Sequence, residues 1–421
     1  MTNTRADAVP AVLPLRQRAE VVNRITAARL ERLLLPVMRE AGLDMWLILC
    51  NEDHLDPIFR ALTPWQSWAP ILQMVVFCDR GEGGIERLNL SRTNMQGLMA
   101  NGWEPANEEQ WQCLRRVIEE RQPRRIGINQ SDVIWAADGL TAGLKERLVA
   151  TLGGDLAGRL VSAEEACVVW LETHLPEEIE LYRQACAINH ALIAECFSRR
   201  VITPGVTTCE DLRWHYWQRA SDLGLTASFS PFFRRHRSRA SQERWGEGDL
   251  AIREGDMLHC DVGVEYLRLI TDNQELAYVL RPRESEAPQG LRQGMAEANR
   301  LQDAFLSCWQ EGQSGNQILA RALARAREAG IAKPKIYSHS LGHYLHQPGP
   351  LMGLPWQQEA IAGRGDVMMR QDTCFTVELS VTLPVPEWGG EEVVFALEQD
   401  AALTADGPIY LDGRQTRFHL V

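Results

Sequence analysis

The stretch Gly255–Val279, GDMLHCDVGVEYLRLITDNQELAYV, constrains this chain more than any other. An acid, Asp261, sits inside its first apolar run, Met257–Val264. A second acid, Asp272, stands just ahead of another run, Leu276–Leu280. Burying an isolated carboxylate is costly, so acids placed in β-type runs need partners. The two acids are an odd number of residues apart, 11. Strands folded back around Tyr266 would make them direct cross-strand partners on one face, about 4.5–5.5 Å apart. Carboxylates that close repel unless a proton or a cation lies between them.

Three candidates downstream extend the set. His343 lies in HSLGHYLHQPGP, Glu378 in FTVELS and Glu398 in VFALEQDAALT. Four carboxylates crowded together repel by roughly 4 kcal/mol per pair at 4 Å and an effective dielectric near 20. Two dications balance them in formal charge and leave His343 as a neutral nitrogen ligand. Hard oxygens with one imidazole suit Mn²⁺ best, with Fe²⁺, Co²⁺ or Zn²⁺ as substitutes. Two such ions share and acidify a bridging water, giving hydroxide near neutral pH. A carboxylate touching that water can take its proton. This is chemistry for cleaving a C–N bond without a covalent enzyme intermediate, and no GxSxG nucleophile elbow competes with it. His339 and His346 flank His343 and could orient substrate or polarise a carbonyl; either could equally be a packed histidine. Cys260 neighbours Asp261 and must point to the opposite strand face. His259 shares the face of Asp261 and reads as a hydrogen-bonding neighbour.

The remaining chain reads as two parts. Residues 1–165 alternate helical and strand patterns: a helix over 16–41, strands at Met45–Cys50, Ile71–Cys78 and Arg125–Asn129, and helices over 111–121 and 140–152. Such alternation predicts an α/β domain. A break near 161–176 separates it from residues 170–421, which combine helices over 178–200, 290–311 and 316–329 with strands at Phe375–Leu379 and Val393–Leu397. The basic cluster Arg234–Arg239, RRHRSR, reads either as a solvated loop or as a lid facing substrate. The formal charge of −12 argues against nucleic acid and anionic membranes as partners. Ten cysteines without a CxxC pair, several in apolar runs, read as buried reduced thiols. With no signal core and no membrane-spanning run, the expectation is a cytoplasmic protein.

These motifs resemble the M24 metallopeptidase family, which includes Xaa-Pro aminopeptidase, prolidase and creatinase. EEIELYRQA, ITPGVTTCEDL, GDMLHCDVG, Asp272, HSLGH, FTVE and Glu398 carry the resemblance over about residues 175–421. It implies a creatinase-like α/β N-terminal domain and an α+β pita-bread catalytic domain. It also implies a two-metal centre on Asp261, Asp272, His343, Glu378 and Glu398, and a homodimer. Glu378 would be both ligand and general base, and His339 would support the ligands from behind. Several positions depart from the pattern. QERWGEGD holds no histidine about seventeen residues before Asp261. The position seven after His343 is Pro350. Ala396 stands two before Glu398, where an arginine is usual. Asn273-Gln274-Glu275 replaces a threonine-bearing run. These positions face substrate, and His346 could take over one lost role. Three readings follow: a dinuclear hydrolase of peptides, the same metal site acting on a small non-peptide amide or as a lyase, and a non-catalytic binding module.

Overall fold

Met45–Asn51 is apolar at nearly every position and buried on both faces, which places it at the centre of a sheet. In a computed structural model of the protein, which describes residues 9–421, it does lie there. The chain divides into two compact units, Leu13–Leu175 and Pro176–Val421, the latter with residues 9–12. In the first unit six strands run in the order Ala100–Asn101, Ile85–Asn89, Leu72–Asp79, Met45–Asn51, Ile126–Ile128, Leu160–Ser162. Met45–Asn51 is antiparallel to Leu72–Asp79 and parallel to Ile126–Ile128. Helices Gln110–Arg121 and Ala142–Leu152 cover the sheet with Trp111, Leu114, Ile118, Leu144 and Leu148.

The long N-terminal helix expected over 16–41 is two helices, Leu15–Arg32 and Leu34–Glu40, broken at Leu33. The expected break over 161–176 contains a buried helix, Glu164–Glu172. Arg29 closes its C-terminus. The guanidinium donates to the carbonyls of Thr173 (2.7 Å) and Trp170 and lies 4.6 Å from the Trp170 ring. A cation satisfying the last carbonyls of a helix is favoured by the macrodipole.

The second unit is built on a four-stranded sheet in the order His419–Leu420, Asn273–Tyr278, Met257–Val262, Phe232–His236. Three three-stranded sheets accompany it; the first is Leu269–Ile270, Val264–Tyr266, Thr226–Ala227, and the other two hold later segments. One is Lys335–Ile336, Leu379–Val385, Glu391–Leu397; the other is Thr373–Thr376, Asp400–Thr404, Gly407–Tyr410. Helices Gln289–Leu306 and Gly315–Glu328 bury Leu291, Phe305, Ile318 and Leu319 in one core with Met257, Leu276, Phe375 and Phe395. No described helix is long and apolar enough to cross a membrane.

The aspartate hairpin departs from expectation by one turn position. Its tip is Leu267-Arg268, both with positive φ (55° and 65°). That is the handedness of a type I′ turn, which suits the twist of paired strands. The register therefore sets Gln274 opposite Asp261 and Asn273 opposite Val262. Asp272 is diagonal to Asp261 rather than directly across from it. The segment between them is tight: a Cβ on Gly263 would collide with the carbonyl oxygen of Thr271 and with Ser228 Oγ. Backbone cannot give way as a flexible side chain can, so Gly263→Ala is expected to destabilise the protein by about 2 kcal/mol or more. A thermal unfolding midpoint equal to that of the wild type would show that the close approach is not there.

Candidate metal centre

Each candidate side chain is fixed by main-chain pairing. Asp261 is the penultimate residue of the apolar strand Met257–Val262, and Asp272 immediately precedes Asn273–Tyr278. The Asp272 amide donates to both oxygens of the Asp400 carboxylate at 3.3 Å. Glu398 follows the strand Glu391–Leu397, and its backbone exchanges two hydrogen bonds with Gln274, each 3.1 Å. Phe375–Leu379, expected as one strand, is two. Thr373–Thr376 and Leu379–Val385 belong to different sheets, and Glu378 sits in the gap between them. His339 is tied to the same region, because its carbonyl accepts from Thr376 N at 3.0 Å while Tyr337 N donates to Glu378 O at 3.0 Å.

These ties bring the acids together. Asp272, His339 and Glu398 are buried and each offers one ligand-type atom, all within 4.8 Å of one another. Asp261 and Asp272 share a side-chain hydrogen bond, as do Glu378 and Glu398. The amide of Gln274 spans the second pair: Nε2 donates to Glu378 Oε1 and to Glu398 Oε2, both at 2.8 Å. His259 Nε2 closes the chain on Gln274 Oε1 at 2.8 Å. Even so, Asp272 Oδ1 and Glu398 Oε1 are buried with no hydrogen-bond partner among the described residues. Buried carboxylate oxygens are seldom left so, and a cation is the partner that such a donor set fits.

The imidazole in this cluster belongs to His339, not to His343. His339 Nε2 lies 3.7 Å from Asp272 Oδ2. His343 instead sets Nδ1 3.2 Å from Arg268 O and Nε2 3.7 Å from Glu178 Oε1. The physical reason is the path of the segment: the backbone at 339–340 pairs with Phe375 and Thr376, and four residues later the chain has turned away. Counted from His339, the residue seven on is His346 rather than Pro350. His346 is exposed, and its ring stands edge-on to that of His339 with centroids 4.3 Å apart. Cys260 points to the other face, paired with Glu275. The Arg234–Arg239 cluster is no loop at its start: Arg234, Arg235 and His236 belong to an edge strand, and Ser238 caps a short helix. Asp400 was not singled out in the sequence, and Gln274 was noted only as part of a run departing from the family pattern, not as a partner of the acids.

Electrostatics follow from burial and crowding. Burial pushes the Asp261 carboxyl up to about 6 and that of Glu378 up to about 8. Asp272 and Glu398 are driven well above the usual range by burial and then by their neighbouring acids. Burial holds His339 well below its ordinary value, so its ring is neutral and has a lone pair to offer. Without cations the cluster therefore retains protons; with cations it can release them.

Solved structures of the same fold include X-Pro aminopeptidase from Thermotoga maritima (15% identity, TM-score 0.63, covering 92% of this chain and 100% of that one). Another is Xaa-Pro dipeptidase from Bacillus anthracis (15% identity, TM-score 0.63, 95% and 100%). A third is the N-terminal domain of the FACT complex subunit SPT16 from Cicer arietinum (11% identity, TM-score 0.59, 94% and 98%). Among proteins of curated function none matches the sequence. The near-complete coverage shows the creatinase-like domain and pita-bread architecture. The description of metallopeptidase family M24 matches residues 180–404, more than half of the chain and the part that carries every acid of the cluster, and the protein accordingly belongs to that family of metal-dependent hydrolases.

Proposed function

We propose that the protein is a dinuclear metal-dependent hydrolase cleaving a peptide or amide C–N bond, with Asp261, Asp272, His339, Glu378 and Glu398 as the metal-holding set. The convergence of four carboxylates and a neutral imidazole, with two buried oxygens left unpartnered, carries this reading. A pair of divalent cations, Mn²⁺ in our reading, supplies a Lewis acid and a water made acidic enough to react near neutral pH. The chain's own residues do the rest. Glu378, which keeps slight solvent contact and prefers to hold a proton, takes one from the attacking water and delivers it to the leaving nitrogen. Gln274 holds Glu378 and Glu398 in fixed orientation. His346, exposed beside His339, is placed to meet substrate. Small peptides of the Xaa-Pro kind are the first substrates to test, in keeping with the structural neighbours. We read the working form as a cytoplasmic homodimer on the family resemblance.

His339→Ala and His343→Ala separate the two imidazoles. His339→Ala is expected to lower metal affinity and Xaa-Pro hydrolysis at least about 100-fold, since even indirect supports of a ligand cost 10–100-fold. His343→Ala should retain metal. Elemental analysis of the purified variants decides it, and full metal content in His339→Ala would remove that residue from the set.

The raised carboxyl groups also set a sign for stability. Unfolded acids titrate near 3.9–4.3, but in the folded, metal-free protein Asp261 does so at about 6 and Glu378 at about 8. Between about pH 4 and 8 the folded state then holds more protons than the unfolded one, and its stability falls as pH rises. Chelator-treated protein should lose midpoint temperature from pH 5 to pH 8, and added Mn²⁺ should restore it most at pH 8. A stabilisation by Mn²⁺ that is constant across that range would contradict the assignment.

A further inference from the structure

The edge strand Phe232–His236 sorts its polar residues by face. Phe232 opposes Asp261 and Arg234 opposes His259, so Phe232, Arg234 and His236 share the face of the metal cluster. Arg235 and Arg237 point the other way, and both are well provided for. Arg235 donates to the carbonyls of Ala251 (3.1 Å) and Asp249. Arg237 forms ion pairs with Asp256 (2.7 Å) and Asp249 (2.8 Å) and donates to Ala251 O at 2.8 Å.

On the cluster face the opposite holds. Among the described residues Arg234 has no ion pair, and its Nε is buried without a partner. His236 Nε2 is likewise buried and unpartnered. The register brings the charge of Arg234 to this face opposite His259, one row from Phe232, which opposes Asp261, and one row from His236. Burial and that charge keep His236 neutral, with one N–H to donate. His259 is no donor here: Nε2 gives its proton to Gln274 Oε1, leaving Nδ1 as a lone pair. If two dications balance the four carboxylates, Arg234 is a surplus cation in a partly desolvated place. A half-buried guanidinium without an anion is unfavourable, and an anion would relieve it.

We propose that Arg234, with His236 beside it, binds a free carboxylate of the substrate next to the metal centre, so that the enzyme acts on short peptides or amides that bear one close to the bond cleaved. This rests on the dinuclear hydrolase reading. Arg234 is two residues along its strand from the row of Asp261, about 7 Å, a span that a dipeptide bridges. Phe232, 49% exposed at the head of that row, offers an apolar wall for the intervening side chain.

The test uses the Mn²⁺-loaded protein and a panel of Xaa-Pro and Xaa-Gly dipeptides, each as free acid and as C-terminal amide, with binding measured by calorimetry. Charge-assisted pairing predicts that the acids bind about ten- to a hundredfold more tightly than their amides. Arg234→Gln should bring the acids down to the affinity of the amides, and Arg234→Lys should recover part of the preference. Metal content measured in the same samples reports that each variant is folded. It also separates the two ideas, because protein unable to hold metal rejects the hydrolase reading itself. With metal in place, equal affinity of acids and amides in the wild type overturns the carboxylate site. So does a preference for acids that survives in Arg234→Gln, since the carboxylate then sits on the metals.

Discussion

Mutual repulsion among four crowded carboxylates, two of them fully buried, is the constraint around which the second unit is arranged. Acids 4 Å apart repel by roughly 4 kcal/mol at an effective dielectric near 20, yet the fold forces the meeting through main-chain geometry rather than avoiding it. The paired backbones of Gln274 and Glu398 join the aspartate sheet to the Glu391–Leu397 strand. The split at Glu378 lets one segment serve two sheets and turns its side chain to the junction. Asp400 grips the Asp272 amide from behind. Hydrogen bonds of this kind are cooperative with the surrounding ladders, so the site is held by the same bonds that hold the sheets. Gln274 relieves part of the repulsion by donating to two carboxylates at once, and protons or cations must supply the remainder.

The sequence disclosed the acids because they violated a local rule. A carboxylate in MLHCDV, in FTVELS or at the end of VVFAL is conspicuous against apolar neighbours, and these three positions meet in space with Asp272. The N-terminal sheet was legible for the complementary reason: MWLILC and, but for Gln73, LQMVVFC are apolar and have no other stable home than a buried strand. What the sequence hid was non-local or depended on φ. YSHSLGHYLHQPGP forms neither helix nor continuous strand, so no period chooses between His339, His343 and His346; the choice is made by Thr376 and Phe375, which are distant in sequence. The hairpin register was missed because its left-handed turn residues are Leu267 and Arg268, where glycine or asparagine would have announced the turn. RRHRSR looked like a loop because strand pairing with Met257–Val262 overrides its polarity.

The edge strand shows how an acidic chain can keep a local cation. Its outward arginines are fastened to Asp249 and Asp256, which fixes the strand and spends those acids on one face. Among the described residues Arg234 has no ion pair of its own. The formal charge of −12 therefore says little about the ligand, since the field a substrate meets is set by a few groups within a Debye length and largely desolvated.

The unsatisfied atoms make the same point in another way. Asp272 Oδ1, Glu398 Oε1, Arg234 Nε, His236 Nε2 and His259 Nδ1 are buried and unpartnered, and they are gathered along adjoining strands on a single face. Native proteins leave few such groups, and scattered ones are absorbed by small relaxations. This set contains both acceptors and donors, so acids that a cation would satisfy lie on the same face as a guanidinium that an anion would satisfy. On the readings proposed above, ligands of both signs would satisfy it.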